Sequence, residues 1–162
     1  MAVFEAIRKT IGTLPPESGG LLAGSRKTGA ITFFYFDDLA NCSSVGYSPD
    51  TVTLNWLLTR LNAEGMDMIG FVHSHPTGLH HPSGGDKYYC RKIFAANPEM
   101  PCLVIPIVNS TATGTPFRMR VFVATPNGSE VDIWQVPLNA GGTEKSIPKI
   151  ELPKITTEEL VA

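Results

Sequence analysis

The sequence predicts a single α/β domain, a curved, mostly antiparallel or mixed sheet with three helices packed on it. Three observations lead there. The chain has 162 residues, the size of one domain with some chain to spare, since domains cluster at about 100–150 residues. Three segments place apolar residues at helical spacing, and short apolar runs bounded by turn residues lie between them. Hydrophobic residues make up 43% and charged residues 17%, ordinary globular usage that excludes wholesale disorder.

Phe4, Ile7 and Ile11 share one helical face beside Ala2 and Ala6, so the first dozen residues read as an amphipathic helix stopped by Gly12 and Pro15-Pro16. Apolar runs at 20–24 and 30–37 flank Arg26-Lys27-Thr28-Gly29, a turn-like cluster, and predict a hairpin. Ser48-Pro49-Asp50 supplies a capping hydroxyl, a preset first-turn φ and a charge complementing the helix dipole. A helix from about 49 to Glu64 follows, with Val52, Leu54, Leu57, Leu58 and Leu61 on its apolar face and Gly65 after its end.

Met68 to Val72 is a short apolar run leading straight into His73, the pattern of a buried strand. Residues 76–85 hold five Gly or Pro residues and read as a sharply turning loop. A helix over 84–96, a strand over 102–108 and a hairpin of 117–124 with 131–136 around Pro126-Asn127-Gly128 complete the core, which ends near Leu138. Residues 139–162 mix Gly, Pro, Thr and alternating charge. They read as a flexible tail, or as an extended segment that docks through its Ile-Pro-Lys-Ile and Leu-Pro-Lys-Ile phrases.

A net charge of -2 lacks the basic footprint of a nucleic-acid binder. Cys42, Cys90 and Cys102 are odd in number and widely spaced, which predicts reduced thiols. No signal-peptide pattern and no run of 18 apolar residues occurs, so the expectation is a soluble, cytoplasmic protein.

Chemistry concentrates in fourteen residues, where His73, His75, Ser83 and Asp86 form HxHx7SxxD. Side chains at i and i+2 leave the same face of a strand, so the two imidazoles can converge on one ion while Ser74 points away. Hydrolytic zinc sites use three protein ligands and keep one position open for water, and Asp86 is the candidate third ligand. Ser83-x-x-Asp86 ahead of an amphipathic helix also reads as a capping box. His80 and His81 sit among chain breakers and read as solvated. A base must reach the open position without being a ligand, and Glu17 is the candidate; a solvated surface glutamate is the other reading.

The pairing of ESGGLLAG at 17–24 with GFVHSHPTGLHHPSGGD at 70–86 resembles the JAB/MPN domain with an intact JAMM metalloprotease motif. The likeness extends over most of residues 1–138 in element order. It implies a cytidine-deaminase-like fold, one zinc ion per chain held by His73, His75 and Asp86, Glu17 activating the water, and Ser83 stabilising the oxyanion. It further implies a metallo-isopeptidase of the small bacterial kind that hydrolyses a peptide or isopeptide bond at the C-terminus of a ubiquitin-like protein, in precursor processing or deconjugation. E1-like and E2-like enzymes of the same pathway are the implied partners.

Other readings of the same residues are a non-catalytic or autoinhibited scaffold of the same fold, and the RadC-like branch, which shares HxHx7SxxD but differs around its glutamate. A zinc nucleobase deaminase requires H-x-E followed by P-C-x-x-C; Pro101-Cys102 is followed by Ile105, so that class is excluded. HExxH is absent as well.

Overall fold

The computed structural model of the chain describes residues 3–43 and 46–136. Its order is α1 (Val3–Lys9), β1 (Gly19–Ser25), β2 (Ala30–Phe36), β3 (Asn41–Ser43), β4 (Gly46–Ser48), α2 (Thr51–Ala63), β5 (Asp67–Ser74), α3 (Gly84–Ala96), β6 (Leu103–Asn109), β7 (Arg118–Asn127) and β8 (Glu130–Val136). Six strands form a mixed sheet in the order β2-β1-β5-β6-β7-β8, and β3 and β4 form a separate hairpin. Only β5 and β6 run parallel within the large sheet. A parallel pair requires a crossover connection, which the loop after β5 and helix α3 supply. The expected α/β architecture of three helices on a mixed sheet is what the structure contains.

Alternation along the strands sorts the core onto two faces. Leu22, Val72, Val104 and Val108 pack with Ile7 and Ile11 on the α1 side. On the opposite face, Leu21 and Ala23 meet Leu54 and Leu61 of α2, while Phe71, Leu103, Ile105 and Ile107 meet Cys90 and Phe94 of α3. His73 follows Phe71 by two residues, so its side chain leaves the sheet on the side of α2 and α3.

Several boundaries differ from the sequence reading. Helix α1 ends at Lys9, where the Thr10 hydroxyl donates to Ala6 O at 2.7 Å and competes with continued helix. The cap of α2 is Asp50, whose side chain accepts from Val52 N. Ser48, the expected cap, is drawn into β4 instead. Val52 is 78% exposed rather than part of the apolar face, because it lies about 200° around the helix from Leu54. At the last hairpin Asn127 pairs with Glu130, so the turn is Gly128-Ser129, with Gly128 at φ 58°. The short β3-β4 hairpin was not legible as strands. No disulfide links the three cysteines, and no described helix is long and apolar enough to cross a membrane. The expected tail lies outside the described residues.

Candidate metal centre

The site grows from the end of β5. Gly70 lets β5 approach β6 closely, since a Cβ there would stand 1.8 Å from Val104 O. The strand then carries His73 into register with Gly19 on one side and Ile107 on the other. Beyond the strand, His75 N donates to Val108 O at 3.1 Å, which extends the ladder far enough to hold the second histidine. Both imidazoles are 2% exposed.

Asp86 arrives from the first turn of α3. Ser83 caps that helix in a capping box: Asp86 N donates to Ser83 Oγ at 3.2 Å, and Ser83 N donates to Asp86 Oδ2 at 2.6 Å. The Ser83 hydroxyl also donates to Asp86 Oδ2 at 2.8 Å. The capping and ligand readings therefore coexist, because the cap aims the carboxylate at the histidines.

Asp86 Oδ1 lies 3.0 Å from His73 Nε2, Asp86 Oδ2 lies 3.4 Å from His75 Nε2, and the two Nε2 atoms are 2.8 Å apart. Two imidazole nitrogens and a carboxylate can stand this close only around a shared proton or a shared cation, so the triad can hold a metal ion. Burial raises the Asp86 pKa, but hydrogen bonds from His73, His75 and the Ser83 backbone outweigh it and hold the carboxyl well below the ordinary range. The acid is thus poised as an anion, the form a cation requires.

Glu17 comes from the segment before β1. Ser74 N donates to Ser18 O at 2.8 Å, and Ser18 N donates to Ser74 Oγ at 3.0 Å. These bonds continue the β1-β5 pairing outward from Gly19 and His73, which carries Glu17 toward the level of His75. Across the segment, Glu17 N donates to Ser43 O at 2.9 Å. Glu17, His73, His75, Ser83 and Asp86 line one cleft of about 430 Å³. All five residues singled out from the sequence therefore meet at one place. A larger concavity of about 630 Å³ between α3 and the β7-β8 hairpin contains none of them.

His80 and His81 stay outside the triad, as expected. The His80 carbonyl accepts from Arg120 at 3.5 Å, and the His81 ring faces Phe122 at 5.9 Å. Cys90 is buried on α3, with its thiol pushed up to about 12 by burial and then by the charge of Asp86, which leaves it unreactive.

Sequence reasoning missed three contributors. Ser74, the residue between the histidines, is the clamp on Ser18. Tyr47 of β4 stacks on His73 with centroids 6.4 Å apart and planes 13° apart. Asp37, 1% exposed, accepts from the Tyr47 hydroxyl at 2.9 Å and from Asp50 N at 3.0 Å. Only the hydroxyl of Ser74 offered a signal, since Tyr47 and Asp37 lie in stretches without a motif.

No curated protein matches the chain. A structure solved in solution, of a protein from Desulfitobacterium hafniense, is 23% identical with a TM-score of 0.57, covering 81% of this chain and 84% of that one. It shares the fold. The family model describing prokaryotic homologs of the JAB domain matches residues 3–122. With that match over most of its length, and a His73, His75 and Asp86 cluster where a metal can sit, the chain belongs to the prokaryotic JAB-domain family.

Proposed function

We propose that the protein is a zinc metalloprotease that hydrolyses a peptide or isopeptide bond at the C-terminus of a ubiquitin-like protein. The observation that carries this reading is the convergence of three buried ligand atoms with Glu17 and Ser83 in one cleft. Zinc held tetrahedrally at about 2.0–2.1 Å from nitrogen sets its ligand atoms about 3.3 Å apart, close to the spacings of 2.8, 3.0 and 3.4 Å found here. Zinc held there would lower the pKa of water toward about 7 and polarise the scissile carbonyl.

The chain's own residues supply the rest. The Glu17 carboxylate takes one proton from the attacking water as the new C–O bond forms, then delivers it to the departing amine nitrogen as the C–N bond breaks. Ser83 donates its hydroxyl hydrogen to the oxyanion, which requires that hydrogen to rotate away from Asp86 Oδ2. Rotation leaves the bond from Asp86 N to Ser83 Oγ intact, so the helix cap survives it. Strand β4 is paired with β3, and Gly46, Tyr47 and Ser48 line the cleft. An extended C-terminal tail can add to β4 through main-chain hydrogen bonds.

The test is cleavage of a ubiquitin-like protein fused through its C-terminal glycines to a reporter, with the zinc-loaded full chain. Expected are cleavage at the junction, loss with a chelator, recovery with zinc and no product with Glu17→Ala. A fusion that binds but stays intact with the zinc-loaded chain would identify a scaffold instead.

A further inference from the structure

Metal-binding imidazoles are ordinarily oriented through their second nitrogen, which donates to a carboxylate, a carbonyl or water. Here the Nδ1 atoms of both His73 and His75 are buried and find no hydrogen-bond partner among the described residues. Beyond its Nε2 contacts with Asp86 and His75, what the described residues offer to orient the His73 ring is packing. Phe71 lies on one side of it, with centroids 5.8 Å apart and planes at 29°, and Tyr47 stacks at 6.4 Å and 13°.

Tyr47 is itself tied down. Its hydroxyl donates to Asp37 Oδ2, the oxygen that also accepts from Asp50 N at the cap of α2. Asp37 N donates to Gly19 O at 3.1 Å, beside the Glu17 segment, and the same hairpin that carries Tyr47 receives Glu17 N at Ser43 O. Asp37 thus links Tyr47 beside His73 to the start of α2 through one carboxylate oxygen, and reaches the backbone beside Glu17 through its own N–H. Asp37 Oδ1 is buried and has no hydrogen-bond partner among the described residues, so the carboxylate is held through Oδ2.

We infer that Asp37 and Tyr47 are a positioning pair, in which Asp37 holds the Tyr47 ring beside His73 in a nearly parallel plane and so helps to set the geometry of the metal centre, although neither residue is a ligand. This rests on the metal reading above. The effect also reaches the cleft, because Tyr47 lines it together with Glu17.

The test uses the full chain and two readouts that do not depend on turnover: Zn²⁺ affinity by chelator competition, and the visible absorption bands of the Co²⁺-loaded protein. Tyr47→Leu and Asp37→Ala are expected to weaken Zn²⁺ binding about 10–100-fold, the usual effect of losing an outer partner, and to shift the Co²⁺ bands. Asp37→Asn keeps an acceptor oxygen for Tyr47 and Asp50 and is expected to restore most of the affinity. Leu61→Ala, a core truncation under α2, is expected to lower stability while leaving affinity and spectrum at wild-type values.

Wild-type affinity and spectrum in Tyr47→Leu would overturn the pairing, as would an equal loss of affinity in Leu61→Ala. If Tyr47→Leu does not fold, Tyr47→Phe carries the test: it keeps the ring and removes the tether, and an unchanged Co²⁺ spectrum overturns the inference. A wild-type chain that takes up no Zn²⁺ removes the metal reading and this inference together, whereas tight wild-type binding with unaffected variants removes this one alone.

Discussion

Gly19 lies directly beneath the Tyr47 ring: a Cβ built on it would stand 2.5 Å from Cζ and 2.6 Å from Cε1. The first glycine after Glu-Ser is therefore needed for close approach of an aromatic ring. Tyr47 cannot simply swing aside, because its hydroxyl is bonded to Asp37. Gly19→Ala is expected to destabilise the fold by about 1–3 kcal/mol through overpacking. Urea denaturation of the two proteins measures it, and equal midpoints would contradict the contact.

In the proposed function Glu17 is the base and not a ligand. Glu17→Gln and Glu17→Ala should bind zinc like the wild type while turnover falls about 100- to 10,000-fold, the usual contribution of a positioned general base. Zinc content by elemental analysis and initial rates on the reporter fusion separate the two effects. Loss of zinc in Glu17→Gln would make Glu17 part of the metal shell.

Asp86 and His73 should behave differently from Glu17. His73→Ala and Asp86→Asn are expected to lose zinc and turnover together. In the metal-free protein, the depressed Asp86 pKa stabilises the fold fully above the ordinary aspartate value of about 3.9, and that contribution is lost as pH falls below it toward the depressed value. An acid titration of the metal-free wild type and Asp86→Asn, followed by circular dichroism, should show a shallower acid limb in the variant.

Ser83 caps α3, and the proposed function gives it a second, separable role at the oxyanion. Ser83→Ala should cost about 0.5–2 kcal/mol of stability through the lost cap, and Ser83→Gly only a few tenths. Both lack the hydroxyl and should lose about 100- to 1,000-fold in kcat. Turnover that follows stability across the two variants would leave the hydroxyl with a capping role only.

Buried Cys90 and half-buried Tyr89 of α3 give an alkaline limb. Burial, then the charge of Asp86, pushes the Cys90 thiol up to about 12, and burial, then Asp37, pushes Tyr89 up to about 12. For a raised pKa the folded state keeps its proton longer, so the Cys90 contribution is complete below the unfolded thiol value of about 8.5 and is lost as pH rises toward about 12. Cys90→Ala should flatten the fall in stability between pH 8 and 10 measured by denaturant titration. An unchanged slope would place the effect elsewhere.

Local patterns reported most of this protein. The HxHx7SxxD spacing, the Glu17-Ser18-Gly19-Gly20 entry to β1, the helical periodicities and the run into His73 were legible because each is a short-range consequence of strand alternation, helix capping or backbone freedom. Boundaries slipped where a distant partner outweighed a local preference. Ser48 is a good cap, yet β3 and Asp37 claim the chain around it, and the cap moves to Asp50. Val52 is apolar, yet the geometry of α2 turns it to solvent.

What the tertiary structure alone decided is which separated residues share one neighbourhood. Nothing local relates Asp37 and Tyr47 to His73, since their contact arises from a two-stranded hairpin folded over the end of a sheet. Glu17 stands near His75 only because β1 pairs with β5 across the chain of residues 26–66, a register set by long-range backbone hydrogen bonds. Motif spacing can nominate ligands and a base. Their meeting in one cleft depends on packing between elements that the sequence keeps far apart.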